Sequence, residues 1–148
     1  MELLELPGWR IEFDRPATVA AHARSLCRGP ERCGCAPCRN WAKTRDRLLP
    51  DDFRHLLQRI GIPLDGEAEV YHNGRLRNGR HSYGLWCHFV GRVLAGERDC
   101  APNIETGTFS AFFHSKPALL ADAFAGQSTV QLEVEAEVPW LSDVPEIV

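Results

Sequence analysis

The chain predicts an α+β domain: an antiparallel sheet of about five strands, a helical pair on one face, and a cysteine-rich loop. Three observations predict it. Helical signals concentrate between Ala17 and Ile60, two-residue alternation dominates from Glu67 onward, and no repeat or low-complexity segment divides the chain. At 148 residues, 1–148 fits one domain that buries a core without disulfides.

The elements follow in order. Trp9, Ile11 and Phe13 alternate with Arg10, Glu12 and Asp14, the pattern of a strand with one buried face, and Arg15-Pro16 ends it. Ala17 to Leu26 predicts a short alanine-rich helix with Thr18 as its cap. Cys27 to Pro37 reads as a loop, broken by glycine and proline. Helix resumes near Pro37, which a first turn tolerates, and runs to about Leu48. Asp51 is the expected N-cap of the next helix, Phe53, Leu56, Leu57 and Ile60 form its apolar stripe, and Gly61 stops it.

Strands then take over. Ala68, Val70 and His72 alternate with Glu69, Tyr71 and Asn73, and Asn73-Gly74 and Asn78-Gly79 read as turns. Tyr83 to Leu94 and Thr106 to Ser115 are expected strands. In Gln127 to Val138, Val130, Leu132, Val134, Ala136 and Val138 face in, against Thr129, Gln131, Glu133, Glu135 and Glu137. Lys116 to Ala125 is expected to be a short helix. The predicted sheet core includes Trp86, Phe89, Phe109, Phe113 and Trp140.

Composition excludes several classes. With 44% hydrophobic and 25% charged residues, the chain is neither a disordered tail nor collagen-like. No apolar run approaches the ~20 residues of a membrane span. Met1-Glu2-Leu3-Leu4-Glu5 puts acids where a signal peptide carries bases, so a cytoplasmic location is expected, with cysteines reduced or metal-bound. Ten basic residues face four acidic ones between Arg15 and Arg59, whereas Ala118 to Val148 holds six acids and no base. The basic surface is local and the net charge −3, which argues against nucleic acid as partner.

Chemistry concentrates in Cys33-Gly34-Cys35-Ala36-Pro37-Cys38. Thiols at that spacing converge on one soft metal ion, and a following helix N-terminus stabilises their negative charge. Cys33, Cys35 and Cys38 are the expected ligands of a zinc ion, with an iron–sulfur cluster as the minor case. Cys27 is the provisional fourth ligand; His22, His88 and His114 are alternatives. Asn40 is a candidate to hydrogen-bond a thiolate or the loop backbone, and Trp41 a core anchor. Cys35-Ala36-Pro37-Cys38-Arg39 also has the thioredoxin-type C-x-P-C-R sequence, but polar residues stand where that fold places an apolar strand. Cys87 reads as a small buried hydrophobe and Cys100 as a loop residue.

Cys33-x-Cys35-x-x-Cys38-Arg39-Asn40-Trp41 resembles a group of small bacterial proteins of unknown function that share C-x-C-x-x-C-R-N-aromatic. The likeness extends to Leu49-Pro50 with Gly61-Ile62, to His88-Phe89-Val90-Gly91, and to an acidic last strand ending in Pro139-Trp140. It covers most of the chain, with Trp41 where the group commonly has Phe. The resemblance implies the cysteine site and a single domain; it implies no reaction.

No nucleophile elbow, zinc-protease motif or phosphate-binding loop occurs. His88 and His114 are expected to be structural, and His72 and His81 to be solvated beside the basic hairpin at Arg75, Arg77 and Arg80. Trp140 is expected to pack over the sheet edge. The leading expectation is a binding or interaction module with a structural zinc site. A thiol–disulfide oxidoreductase using Cys35 and Cys38 is the enzyme alternative. A regulatory or toxin-neutralising protein that binds a protein partner is the third.

Overall fold

Alternation along Trp9–Phe13 makes a strand, and a second strand precedes it. In the computed structural model, which describes residues 1–25, 29–96, 104–106, 108–120 and 122–146, β1 (Glu2–Leu6) pairs antiparallel with β2 (Trp9–Phe13) across Pro7-Gly8. β1 carries little sequence signal because Leu4 alone of its residues is buried. Helix α1 (Arg15–Arg24) follows, capped by Asp14 rather than Thr18: the Asp14 carboxylate accepts from the Ala17 N–H at 2.9 Å.

The expected loop contains a helical stretch, α2 (Gly29–Cys33), before α3 (Ala36–Leu48) and α4 (Asp51–Ile60). Pro50, not Asp51, occupies the N-cap of α4; Asp51 and Asp52 lie in the first turn, where the helix dipole favours acids. The four apolar residues of the stripe are all buried. At ~1.5–3 kcal/mol each, they hold a helix that would be marginal alone. Gly61 ends it at φ +95°, its N–H on the Leu57 carbonyl.

Strands β3 (Glu67–Arg75), β4 (His81–Ala95), β5 (Ile104–Thr106), β6 (Phe109–His114) and β7 (Thr129–Val138) complete a seven-stranded antiparallel sheet. The order is β1-β2-β4-β7-β6-β5, with β3 also on β4. The sheet exceeds the expected five strands by β1 and the three-residue β5. Its inner face joins Tyr83, Leu85, Cys87 and Phe89 to Ala136, Val134, Leu132 and Val130 in register, and Phe109, Ala111 and Phe113 extend the row. Trp41 of α3 and the stripe of α4 cover this face. Trp86 lies instead on the opposite face, half-buried against Tyr71. Trp140, also half-buried, packs on His81 beyond the end of β7.

One edge of β4 is shared. β3 pairs with residues 81–87 and β2 with 91–95, which leaves a gap between them. Helix α1 fills it from one face: the Asp14 N–H donates to the Val90 carbonyl at 2.9 Å, the Val90 N–H to Thr18 Oγ1 at 3.0 Å, and His22 Nε2 lies 2.9 Å from the His88 carbonyl. Thr18 and His22 are one turn apart, the spacing that two backbone groups along a strand require.

Two further expectations are corrected. Asn78-Gly79 makes the β3–β4 turn, but Asn73-Gly74 is a bulge within β3, where the register shifts between His72 and Gly74. Lys116–Ala125 does not form the expected helix: among its described residues only Asp122–Phe124 is helical, as a 3-10 element. Leu119 and Leu120 are exposed there, and Phe124 is the buried side chain among the described residues of the segment. No helix among the described residues is long and apolar enough to cross a membrane.

Candidate metal centre

The centre forms where α2 hands over to α3. Gly34 turns the chain at φ +67°, which glycine adopts without strain, and its N–H closes on the Pro30 carbonyl at 3.0 Å. Cys35 follows as the extended N-cap of α3, and Pro37 and Cys38 lie in the first turn. Cys33 at the end of α2 thereby meets Cys35 and Cys38, and the three sulfurs lie within 4.8 Å of one another. A tetrahedral zinc ion with Zn–S bonds of ~2.3 Å separates its sulfurs by ~3.8 Å, so modest side-chain rotation closes the set on one ion. The three cysteines could hold a metal.

Their environments differ. Cys33 and Cys35 are exposed; Cys38 is 7% exposed, inside the first turn. Hydrogen bonding from the Cys35 backbone, then from the side chains of Cys35 and Cys38, lowers the Cys33 thiol below its ordinary 9.0. Burial, reinforced by the other two sulfurs, pushes Cys38 up. A cation at the centre would offset that cost by binding all three thiolates.

Tyr83 supports the turn from the sheet, donating its hydroxyl to the Pro37 carbonyl at 2.8 Å. Burial pushes its phenol up to about 12, opposed by the Asn40 hydrogen bond and assisted by the charges of Cys38 and Cys35. Asn40 is fully buried, and its amide donates to Tyr83 at 3.4 Å and to the Pro139 carbonyl at 3.1 Å. Its Oδ1 accepts from the N–H groups of Leu141 and Ser142. Asn40 therefore reaches the cysteine turn through Tyr83 and ties the chain after β7 to α3.

Of the proposed fourth ligands, Cys27 lies outside the described residues, as does Cys100. None of His22, His88 and His114 joins the sulfur cluster. His22 bonds the His88 carbonyl, His88 Nε2 lies 3.0 Å from Gln131 Oε1, and His114 Nε2 lies 3.1 Å from Glu133 Oε2. His72 and His81 are not solvated: His81 is fully buried and His72 half-buried, with their rings stacked. A cavity of about 620 Å³ between α1 and α4 contains no cysteine, and its Arg15 and Arg54 are committed to backbone carbonyls.

A buried ion pair beneath the centre has no counterpart among the expected residues. Arg45 of α3 gives Nη1 to both oxygens of Glu67 at 2.9 Å, and Trp41 Nε1 donates to the same carboxylate at 3.0 Å. Burial raises the Glu67 carboxyl, and the Arg45 charge pulls it back. The register shift between Glu67 and Glu69 turns Glu67 to the inner face, against simple alternation. Only that unpredictable bulge hid it.

The chain matches no protein-family model, and no curated protein or solved structure shows significant similarity to it.

Proposed function

We propose that the chain is a cytoplasmic binding or interaction module whose α2–α3 junction is held by a thiolate-bound zinc ion. Cys33, Cys35 and Cys38 supply three ligands and Cys27 the fourth. The observation that carries this reading is the convergence of three sulfurs within 4.8 Å at one helix start. Zinc suits it because thiolates in a tetrahedron are its commonest structural set. The ion offsets the conformational entropy of a segment with little apolar content of its own.

Elemental analysis of the tag-free protein, with thiol titration before and after chelation, tests the reading. One equivalent of zinc is expected, with three or four thiols released by the chelator. Metal-free protein with fully reactive thiols, or a Cys38→Ser variant with full metal content, would overturn it.

The second reading is thiol–disulfide exchange, favoured by the position of Cys35 and Cys38 at the N-terminus of α3. The Cys35 thiolate would attack a substrate disulfide, and Cys38 would resolve the mixed disulfide, leaving Cys35–Cys38 oxidised and the substrate a dithiol. Turnover of a model disulfide by the metal-free protein separates this reading from the first.

A further inference from the structure

A five-residue helix does not hold itself in place, because nucleation costs more than so few hydrogen bonds return. α2 is docked nonetheless, by three contacts. Gly29 lies against β3, where a β-carbon would come within 3.1 Å of the Glu67 carbonyl oxygen. Pro30 is buried. Glu31 bonds Nη2 of Arg45, a guanidinium nitrogen that Glu67 leaves unused.

The guanidinium thus joins three elements: Glu67 of β3, its own helix α3, and Glu31 of α2. Arg45 and Glu67 are 4% and 2% exposed, so this end of the clasp is rigid. The Glu31 side chain is 40% exposed and forms the outer arm. Cys33 ends α2, whereas Cys35 and Cys38 belong to α3. The placement of one sulfur relative to the other two therefore depends on how firmly α2 is clasped.

We propose that Glu31 is a positioning residue of the metal centre, holding Cys33 on the shared ion through Arg45; this rests on the metal-binding reading above. Linkage makes the effect mutual, so a bound ion tightens the Glu31–Arg45 pair as the pair tightens the ion. Removing Glu31 leaves Arg45 still paired with Glu67, with Asp46 3.4 Å from Nε, so the fold keeps its buried pair.

Cobalt(II) titration of the full, tag-free chain tests this, since thiolate-to-cobalt absorption reports the thiolates bound. Glu31→Gln should bind cobalt about 10–100-fold more weakly, the usual cost of losing a ligand's supporting contact. Its absorption at saturation should fall to that of Cys33→Ser. Glu31→Asp should recover part of both, and the urea midpoint of metal-free Glu31→Gln should match wild type. Wild-type affinity and absorption in Glu31→Gln would overturn the proposal. So would a weakened affinity that merely tracks a lowered metal-free midpoint. If the wild-type chain takes up neither cobalt nor zinc, the metal reading itself fails and this one with it.

Discussion

The carboxylate of Glu146 lies 2.8 Å from Nε2 of His81, a fully buried histidine whose Nδ1 is 2.8 Å from His72 Nε2. The Glu146 carboxylate accepts from Nε2–H of His81, which leaves His81 Nδ1 to accept from Nε2–H of His72. Arg75 also reaches Glu146, at 3.1 Å. The hydrogen bond from His81 holds the Glu146 carboxyl below its ordinary 4.5, with Arg75 assisting. Burial, then the neighbouring His81, lowers His72 below 6.5. This chain joins β3, β4 and the segment after β7.

Stability is therefore expected to fall in two steps on acidification. A histidine whose folded pKa is lowered resists a proton that the unfolded chain accepts, so stability drops as pH falls through about 6.5. Buried His88 acts in the same direction. The Glu146 contribution is complete above about 4.5 and disappears as pH falls through its lowered folded value. Urea midpoints measured from pH 8 down to about pH 2 check this, and His72→Gln should flatten the upper step. A wild-type midpoint unchanged between pH 8 and 5.5 would contradict it.

Asn40→Ala should cost about 3 kcal/mol, because it strips partners from the backbone of Pro139, Leu141 and Ser142 at a fully buried site. The loss should be local. Amide exchange at Leu141 and Ser142 should rise well before that of β4 and β7; uniform loss of protection would refute the strap.

Arg45→Met leaves the Glu67 carboxylate buried without its cation and should destabilise by about 3–5 kcal/mol. Adding Glu67→Leu should recover most of that, since an apolar pair of similar volume carries no desolvation cost. Denaturation of both variants decides the matter, and a double variant no better than the single one would count against it.

Thr18→Val removes the acceptor for the Val90 N–H and should cost about 1–3 kcal/mol, while Thr18→Ser should be mild. Exchange at the Val90 amide should report the loss directly. If that amide stays protected in Thr18→Val, α1 does not close the gap beside β4.

Chelation should leave the sheet intact and loosen the cysteine turn. Hydrogen exchange should rise in α2 and the first turn of α3, with β4 and β7 unchanged, because the apolar rows between those strands do not involve the metal. Loss of protection across the whole sheet would make the ion a requirement of the fold instead.

Much of the fold was readable because its signals are local. The stripe Phe53, Leu56, Leu57 and Ile60 marks α4, and the alternation of Val130 to Val138 marks β7, since each pattern reflects one buried face. β1 escaped because one inward leucine does not make a pattern, and Trp86 was misplaced because an aromatic on a strand does not declare its face. Asn40 and His81 took roles from partners 99 and 65 residues away, which no window along the chain contains.

By itself, the order of residues determined the α+β class, the helices from Ala36 and Asp51, and where the sulfurs cluster, because spacing and turn chemistry act over a few residues. Tertiary structure alone decided what clasps that cluster. Arg45 meets Glu67 only because a bulge turns the carboxylate inward, and meets Glu31 only because α2 packs back on α3. A buried charge is tolerable only with its partner in place, and the fold supplies the partner.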